Sequence, residues 1–157
     1  MRLTTKGRYA VTAMLDIALH DDTAPVSVLD ISARQAISSA YLEQIVGKLK
    51  RFGLLRSLRG PGGGYVLGRR AQEITISAIV RSVGEGVDAT RCRGKADCQE
   101  GHMCLTHDLW VDLSRQLDGF LQGITLASLM ERQRQAVNIA TANEIDSNDL
   151  IASIPLG

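Results

Sequence analysis

Three cysteines and one histidine are crowded into a short stretch of the second half of the chain. They follow the spacing Cys92-x5-Cys98-x5-Cys104-x2-His107, and the chain has 3 cysteines in total. An odd number of cysteines argues against a disulfide framework and favours a metal site or a reactive thiol. Thiolate and imidazole ligands suit iron–sulfur clusters and zinc alike. The spacing therefore predicts a metal site built from these four side chains.

The helical pattern downstream bears on how this site is assembled. We expect Cys104 and His107 to lie in the first turn of a long helix, where residues three apart share one face. The amino end of a helix also stabilises a thiolate. His102 is a competing ligand, but His107 is favoured by its helical spacing from Cys104.

Other chemistries remain open for the same residues. A structural zinc site with three cysteines and one histidine is common, although such sites usually contain a close Cys-x2–4-Cys pair. The long spacings here fit a larger cofactor better. A thiol sensor without metal, a zinc-stapled adaptor and an enzyme pairing a Cys104 nucleophile with His107 are further alternatives, and the enzyme leaves Cys92 and Cys98 unexplained.

The first half of the chain is predicted to fold as a helix-turn-helix. Residues 5–20 form an apolar-faced helix, and a second helix is predicted from Val28 to about Gln35. Ser27 and Asp30 have the spacing of a capping box at its start. After a tight turn, a third helix places four apolar residues on one buried face. Those residues are Leu42, Ile45, Val46 and Leu49.

A glycine-rich segment follows the third helix. Short strands are predicted at Leu55–Arg59 and Tyr65–Leu67, on either side of Gly60-Pro61-Gly62-Gly63-Gly64, and a further helix over 75–83. Two short strands after a helix-turn-helix are typical of a wing. The predicted fold class is mainly α with a small β wing, a winged helix-turn-helix domain followed by a long helix.

The exposed side of the third helix has the chemistry of a DNA-reading surface. In a helix-turn-helix the second helix enters the major groove. Gln44 could pair with adenine and Glu43 could accept from cytosine, while Arg59 of the wing could enter the minor groove. The alternative is an ordinary solvated helix face. The predicted DNA-contacting residues are Ser38, Ser39, Tyr41, Glu43, Gln44, Lys48 and Arg59.

Charge is distributed unevenly along the chain. Residues 1–70 hold 11 Lys and Arg against 5 Asp and Glu, a net +6, and residues 71–157 hold 7 against 12, a net −5. A basic half is what binding to DNA phosphates requires. No apolar run approaches the roughly 20 residues of a membrane span. Asp16 interrupts the apolar run near the start, which argues against a signal peptide, so we expect a cytoplasmic protein.

The last third of the chain is predicted to contain two helices and a tail. Leu105, Leu109, Leu113 and Leu117 recur at every fourth position, which predicts a long helix with an apolar stripe. A second helix is predicted over about 125–137. Beyond it the chain becomes polar and aperiodic, which predicts disorder. The expected organisation is a DNA-binding domain over 1–84, a cluster-binding loop over 85–104, the two helices over 105–137 and a disordered tail over 138–157.

Four segments together resemble a known family, the iron–sulfur cluster regulators among winged helix-turn-helix transcription factors. The segments are MRLTTKGRYAVTAMLDIAL, YLEQIVGKLKRFGLL, RGPGGGYVLGR and VDATRCRGKADCQEGHMCLTHDLW. The resemblance covers roughly residues 1–135. The wing marks the wider family, and the cysteine pattern with its following Leu-Thr-His marks the cluster regulators. Ala40 departs from the family pattern, where serine is frequent, which puts one DNA contact in doubt.

The resemblance implies a cofactor, partners and a regulatory mode. It implies a [2Fe–2S] cluster held by Cys92, Cys98, Cys104 and His107 and supplied by the iron–sulfur assembly machinery. It implies a homodimer whose interface is the long leucine-rich helix. With its cluster the protein would act mainly as a repressor of iron–sulfur assembly genes. Without the cluster it would bind a different class of operator, and the position of Glu43 is linked to that discrimination.

Overall fold

The chain folds as a helical domain with one small sheet. The computed structural model describes residues 4–90, 92, 95–99 and 101–152, with side chains as far as residue 140. Six helices, two strands and one 3-10 turn make up the described elements. In chain order they are α1 (Thr5–His20), α2 (Val28–Gln35), α3 (Ser39–Arg51), β1 (Leu55–Leu58), β2 (Gly64–Leu67), the 3-10 turn Ala71–Glu73, α4 (Ile76–Ser82), α5 (His107–Gln122) and α6 (Leu126–Ala152).

Local sequence signals set the ends of the helix-turn-helix. The predicted capping box starts α2, since the Ser27 hydroxyl accepts from the Asp30 amide (3.1 Å) and the Asp30 carboxylate accepts from the Ser27 amide (3.1 Å). Ala36 ends α2 in a left-handed conformation with φ 52°. Ser38 then caps α3 by accepting from the Tyr41 amide (3.2 Å). These caps confirm the predicted helix-turn-helix.

The hydrophobic core lies between α1, α3 and α4. The predicted buried face of α3 is confirmed, since its four apolar side chains are each 0% exposed. Leu126, at the start of α6, is also 0% exposed and belongs to the same core. The helix after α5 therefore returns to pack on the amino-terminal domain. The buried face of α3 consists of Leu42, Ile45, Val46 and Leu49.

The wing is an antiparallel hairpin docked on the loop before α2. Leu55 pairs with Leu67 at one end of the hairpin. Tyr65 exchanges two backbone hydrogen bonds with Val26, at 2.9 and 2.8 Å. A Cβ on Gly64 would lie 2.6 Å from the Val26 carbonyl oxygen, so only glycine permits this close approach. The predicted strands are confirmed, and each differs from its prediction by one residue at the end next to the turn.

The last two helices have bounds that differ from those predicted. Helix α5 begins at His107, so the prediction that Cys104 lies in its first turn is wrong. Helix α6 continues to Ala152, beyond its predicted end near residue 137. Residues 131–140 of α6 are all exposed. Disorder beyond residue 138 stays a prediction, and residues 153–157 lie outside the described residues.

Candidate functional site

Three of the four predicted ligands converge on one point. The ligand atoms of Cys92, Cys98 and His107 all lie within 4.8 Å of one another. The two sulfurs are 3.2 Å apart, and His107 Nδ1 lies 3.5 Å from Cys92 Sγ and 3.2 Å from Cys98 Sγ. Cys92 and His107 are buried, with 9% and 7% exposure. Residues 15 positions apart in the chain thus share one pocket of donor atoms.

Cys104 stands at the edge of this group rather than inside it. It lies in the non-helical segment before α5, where its carbonyl accepts from the His107 amide (3.1 Å) and its sulfur is 3.9 Å from Thr106 Oγ1. A hydrogen bond from the Cys98 thiol lowers the pKa of Cys104, and bonds from Thr106 act in the same direction against partial burial. The Cys104 sulfur therefore lies beside Cys98, and its pKa is lowered there.

The pKa of the Cys98 thiol shifts in the opposite direction to that of Cys104. The backbone amide of Cys104 favours its thiolate, but its hydrogen bond to Cys92 and its partial burial outweigh that contact. The pKa of Cys98 is therefore raised. The pKa values of Cys98 and Cys104 therefore shift in opposite directions.

Short-range turns bring the loop back on itself beside α5. Gln99 and His102 exchange backbone hydrogen bonds of 3.0 and 2.8 Å around Gly101, which has φ 87°. This reversal lies two residues before Cys104, and α5 begins only at His107. The imidazole of His102 is exposed and is not part of the converging group. The amide of Ala89 donates to Ser114 Oγ (2.8 Å) and fixes the start of the loop on α5.

The donor set fits an iron–sulfur cluster or zinc. Three thiols and an imidazole are the ligand types that both take. A cavity of about 440 Å³ opens beside them. Its wall includes Cys98, Cys104, His107 and Trp110. The site therefore has the donors for a metal centre and has room beside them.

Four of the predicted DNA contacts are solvent-exposed. Glu43 and Gln44 are exposed on α3, Ser38 is exposed at its cap, and Arg59 is exposed at the tip of the wing, directly after β1. Ser39 is half-buried in the first turn of α3. Ala40 is exposed between these serines and Tyr41, and its methyl group offers no hydrogen bond. Helix α3 and the wing thus both present polar groups to solvent.

Two further predicted contacts are engaged within the protein. Tyr41 is half-buried and meets the ring of Tyr9 edge-on, with ring centroids 5.8 Å apart at 76°. Lys48 is also half-buried, and its ammonium donates to the Val83 carbonyl at the end of α4 (3.4 Å). Sequence periodicity placed both on the outward face of α3 but could not identify these partners.

Sequence reasoning missed an ion pair behind the helix-turn-helix, in which the Asp16 carboxylate is buried and Arg34 is exposed. The Asp16 carboxylate accepts from Arg34 Nη2 (2.6 Å) and Gln35 Nε2 (2.7 Å). These bonds join α1 to the end of α2, immediately before the turn into α3. The charged Asp16 inside the otherwise apolar face of α1 was the only signal that could have revealed it.

Large apolar side chains of α5 are exposed. Leu105, just before the helix, is 107% exposed, and Leu109 and Leu113 are 60% and 38% exposed. Phe120 is 66% exposed, and Leu117 is half-buried. Such a contiguous apolar surface is typical of a protein–protein interface. No described helix combines the length and apolar character that a membrane span requires.

Comparison with known proteins agrees with this architecture. The profile of the Rrf2 family, described as an iron-dependent transcriptional regulator, matches residues 3–132. The HTH-type transcriptional regulator IscR of Serratia proteamaculans is 59% identical over 133 residues, which are 85% of this chain and 81% of that protein. IscR of Vibrio atlanticus is 53% identical over 146 residues, 93% of this chain and 84% of that protein.

Solved structures show the same fold. IscR of T. potens superimposes with a TM-score of 0.72 at 34% identity, covering 87% of this chain and 90% of that one. CymR (YrzC), the global cysteine regulator of B. subtilis, gives a TM-score of 0.73 at 30% identity, covering 84% and 98%. The named relatives are transcriptional regulators, not enzymes. This chain is a DNA-binding transcription regulator that belongs to the Rrf2 family, within which it is similar to IscR.

Proposed function

We propose that this regulator binds a [2Fe–2S] cluster and that its cluster state sets its choice of DNA sites. The observation that carries the proposal is the convergence of Cys92, Cys98 and His107 beside Cys104, within a regulator similar to IscR. Its targets would be genes of iron–sulfur cluster assembly, which it would mainly repress. We assign it to the cytoplasm, and the assembly machinery would supply the cluster.

Four side chains of this chain would hold the cluster. Cys92, Cys98 and Cys104 would bind as thiolates and His107 as a neutral imidazole. When bound, the cluster supplies a group that iron limitation or oxidation can remove. The lowered pKa of Cys104 favours its thiolate form and supports its role as a ligand. Loss of the cluster would release the loop over 85–104, because the four ligands would no longer share a bound group.

DNA recognition would use α3 and the wing. Gln44 and Glu43 are exposed for base contacts, and Arg59 is exposed for the minor groove. Ser38, Ser39, Tyr41 and Lys48 would complete the surface. Tyr41 and Lys48 would act from positions fixed by their contacts to α1 and α4. Glu43 would discriminate between the two classes of site. Its carboxylate can accept a hydrogen bond from cytosine, and it repels phosphate.

The protein would act as a homodimer through α5. The exposed leucines at positions 105, 109 and 113, together with Leu117, form the surface that a second copy would cover. Two copies would place two α3 helices on successive turns of DNA. The organisation would then be a DNA-binding domain over 1–84, the cluster loop over 85–104 and dimer-forming helices over 105–137.

The test compares the DNA preferences of the two states. Reconstituted and cluster-free protein would each select duplexes from a random pool, and both forms would then be titrated with both selected sets. We expect each form to favour its own set by at least about tenfold, equivalent to roughly 1.4 kcal/mol. The change Glu43→Ala should narrow this difference. Equal preferences in both states would refute cluster control and leave a zinc-stapled or thiol-based regulator as the alternative.

A further inference from the structure

Positive charges are crowded at the junction of α1, α3 and α4. Lys48 lines a cleft of about 460 Å³ together with Arg51 and Arg81. A hydrogen-bonding contact with Lys6 lowers the pKa of Lys48, and burial and the charge of Arg51 lower it further. Cations that lower one another's pKa in this way are stabilised when an anion binds to them. Arg81 already has an anionic partner, Asp118.

One carboxylate already occupies the edge of this cluster. Glu85 accepts from the amides of Thr4 (3.2 Å) and Gly7 (3.1 Å), and the Thr4 hydroxyl donates to it as well. It therefore sits on the amino end of α1, where the helix dipole favours negative charge. Glu85 also raises the pKa of Lys48, so it lies close enough to neutralise part of that positive charge.

The same carboxylate stands where the cluster loop begins. Glu85 is the first residue of the predicted loop over 85–104, and Val83, two residues earlier, accepts the hydrogen bond from Lys48. The loop is thus joined at its start to α1 and to the DNA-reading helix. Any displacement of residues 83–85 changes the surroundings of Lys48.

We propose that Lys6, Lys48 and Arg51 form a binding site for a phosphate of the DNA backbone, and that Glu85 competes with that phosphate. This inference rests on the proposed function and deepens it, because it names a route from the loop to DNA affinity. While Glu85 stays on α1, the cationic cluster is partly neutralised. When the loop shifts and withdraws Glu85, the three cations bind phosphate more strongly.

The test measures how DNA affinity depends on salt. Anisotropy titrations with a mixed-sequence duplex would compare Glu85→Gln with the parent across several salt concentrations, in protein purified anaerobically with any cluster it carries. Each phosphate contact contributes about 0.9 to the slope of log K against log salt. We expect Glu85→Gln to steepen this slope by roughly one contact. Glu131→Gln is the matched control, because it removes the same charge near the opposite end of α1 and should change the slope much less.

A second set of variants keeps the test decisive if Glu85→Gln folds poorly. Lys48→Gln and Arg51→Gln should each make the slope shallower by about one contact. A parental slope in Lys48→Gln, or equal slopes in Glu85→Gln and Glu131→Gln, would overturn the proposal. Visible absorption of the same preparations reports cluster binding separately. Colourless protein that still shows the Glu85 effect would refute the cluster while supporting the phosphate site.

Discussion

At the scale of single residues, Asp16 shows how a charge in the core can organise the DNA-binding unit. Its side chain is 1% exposed and it is bonded to Arg34 and Gln35. Sequence alone marked Asp16 as an interruption of an apolar face. It could not identify partners 18 and 19 positions away, because those depend on how α1 and α2 pack.

The change Asp16→Asn tests this ion pair. An amide keeps one acceptor but removes the charge that Arg34 faces, so we expect a loss of about 2 kcal/mol of unfolding free energy. Urea denaturation followed by circular dichroism measures it. Asp22→Asn, at an exposed position of the following loop, should change stability far less. Equal effects of the two substitutions would contradict a structural role for Asp16.

The same pair predicts a pH dependence. Burial favours the neutral form of Asp16, but hydrogen bonds from Arg34 and Gln35 outweigh it and lower its pKa below the ordinary value. Stability from this group is therefore complete above the unfolded value of about 3.9 and is lost as pH falls through the folded pKa. Urea unfolding should show the difference in unfolding free energy between parent and Asp16→Asn shrinking as the pH falls below about 4. A constant gap would exclude this linkage.

The candidate ligands show what residue spacing can and cannot predict. Residue types and spacing predicted all four ligands, and three of them, Cys92, Cys98 and His107, converge in the fold. The helical position predicted for Cys104 was wrong, since α5 begins at His107 and Cys104 lies in the non-helical segment before it. Spacing records which residues are near in sequence, and only the folded loop decides which donors meet.

At the scale of elements, the turn between α2 and α3 depends on one strained residue. Ala36 has φ 52°, a left-handed conformation that costs about 1 kcal/mol for a residue with a side chain. It is exposed, so its methyl group gains little from packing. The turn sets the angle at which α3 leaves α2.

Replacing Ala36 with glycine should therefore stabilise the protein. Relief of strain exceeds the added flexibility of the unfolded chain, so we expect a gain of roughly 0.5 kcal/mol. Ala33→Gly, an exposed position inside α2, should instead cost about 0.5–1 kcal/mol. Thermal unfolding of both variants under one buffer gives the comparison. Destabilisation by both changes would show that the Ala36 methyl group makes a contact that matters more than its backbone.

Most elements were predictable because their signals are local. The capping box of α2, the serine cap of α3 and the glycine-rich wing each act within a few residues of chain. The inward contacts of Tyr41 and Lys48 were not predictable, since their partners Tyr9 and Val83 belong to other helices. Helical periodicity gives a face, and tertiary packing decides how much of that face stays open.

At the scale of the whole molecule, charge is distributed unevenly along the chain. The net +6 of residues 1–70 lies in the part that contains α3 and the wing. Leu105, Leu109 and Leu113 are exposed just before and on α5, beyond that domain, while Leu29 and Leu58 are exposed within it. One part of the chain is thus suited to DNA and another to a second copy of the protein.

The change Leu113→Glu tests the predicted dimer. A carboxylate buried at an apolar interface should weaken association by about 3 kcal/mol, roughly a hundredfold in Kd. Sedimentation equilibrium over a range of concentrations measures this directly. Arg115→Glu is the control, since Arg115 lies on the same helix with its side chain 75% exposed and paired with Asp112. A parental Kd in Leu113→Glu would place the interface elsewhere.

Three sulfurs and one imidazole are proposed to bind an iron–sulfur cluster. Its most direct test is the visible spectrum of anaerobically purified protein, with iron and sulfide measured on the same sample. We expect reddish-brown protein with about two irons and two sulfides per chain. Cys92→Ala, Cys98→Ala, Cys104→Ala and His107→Ala should each lose most of the absorption, while His102→Ala should keep it. Colourless protein, free of iron and sulfide and resistant to reconstitution, would contradict the account.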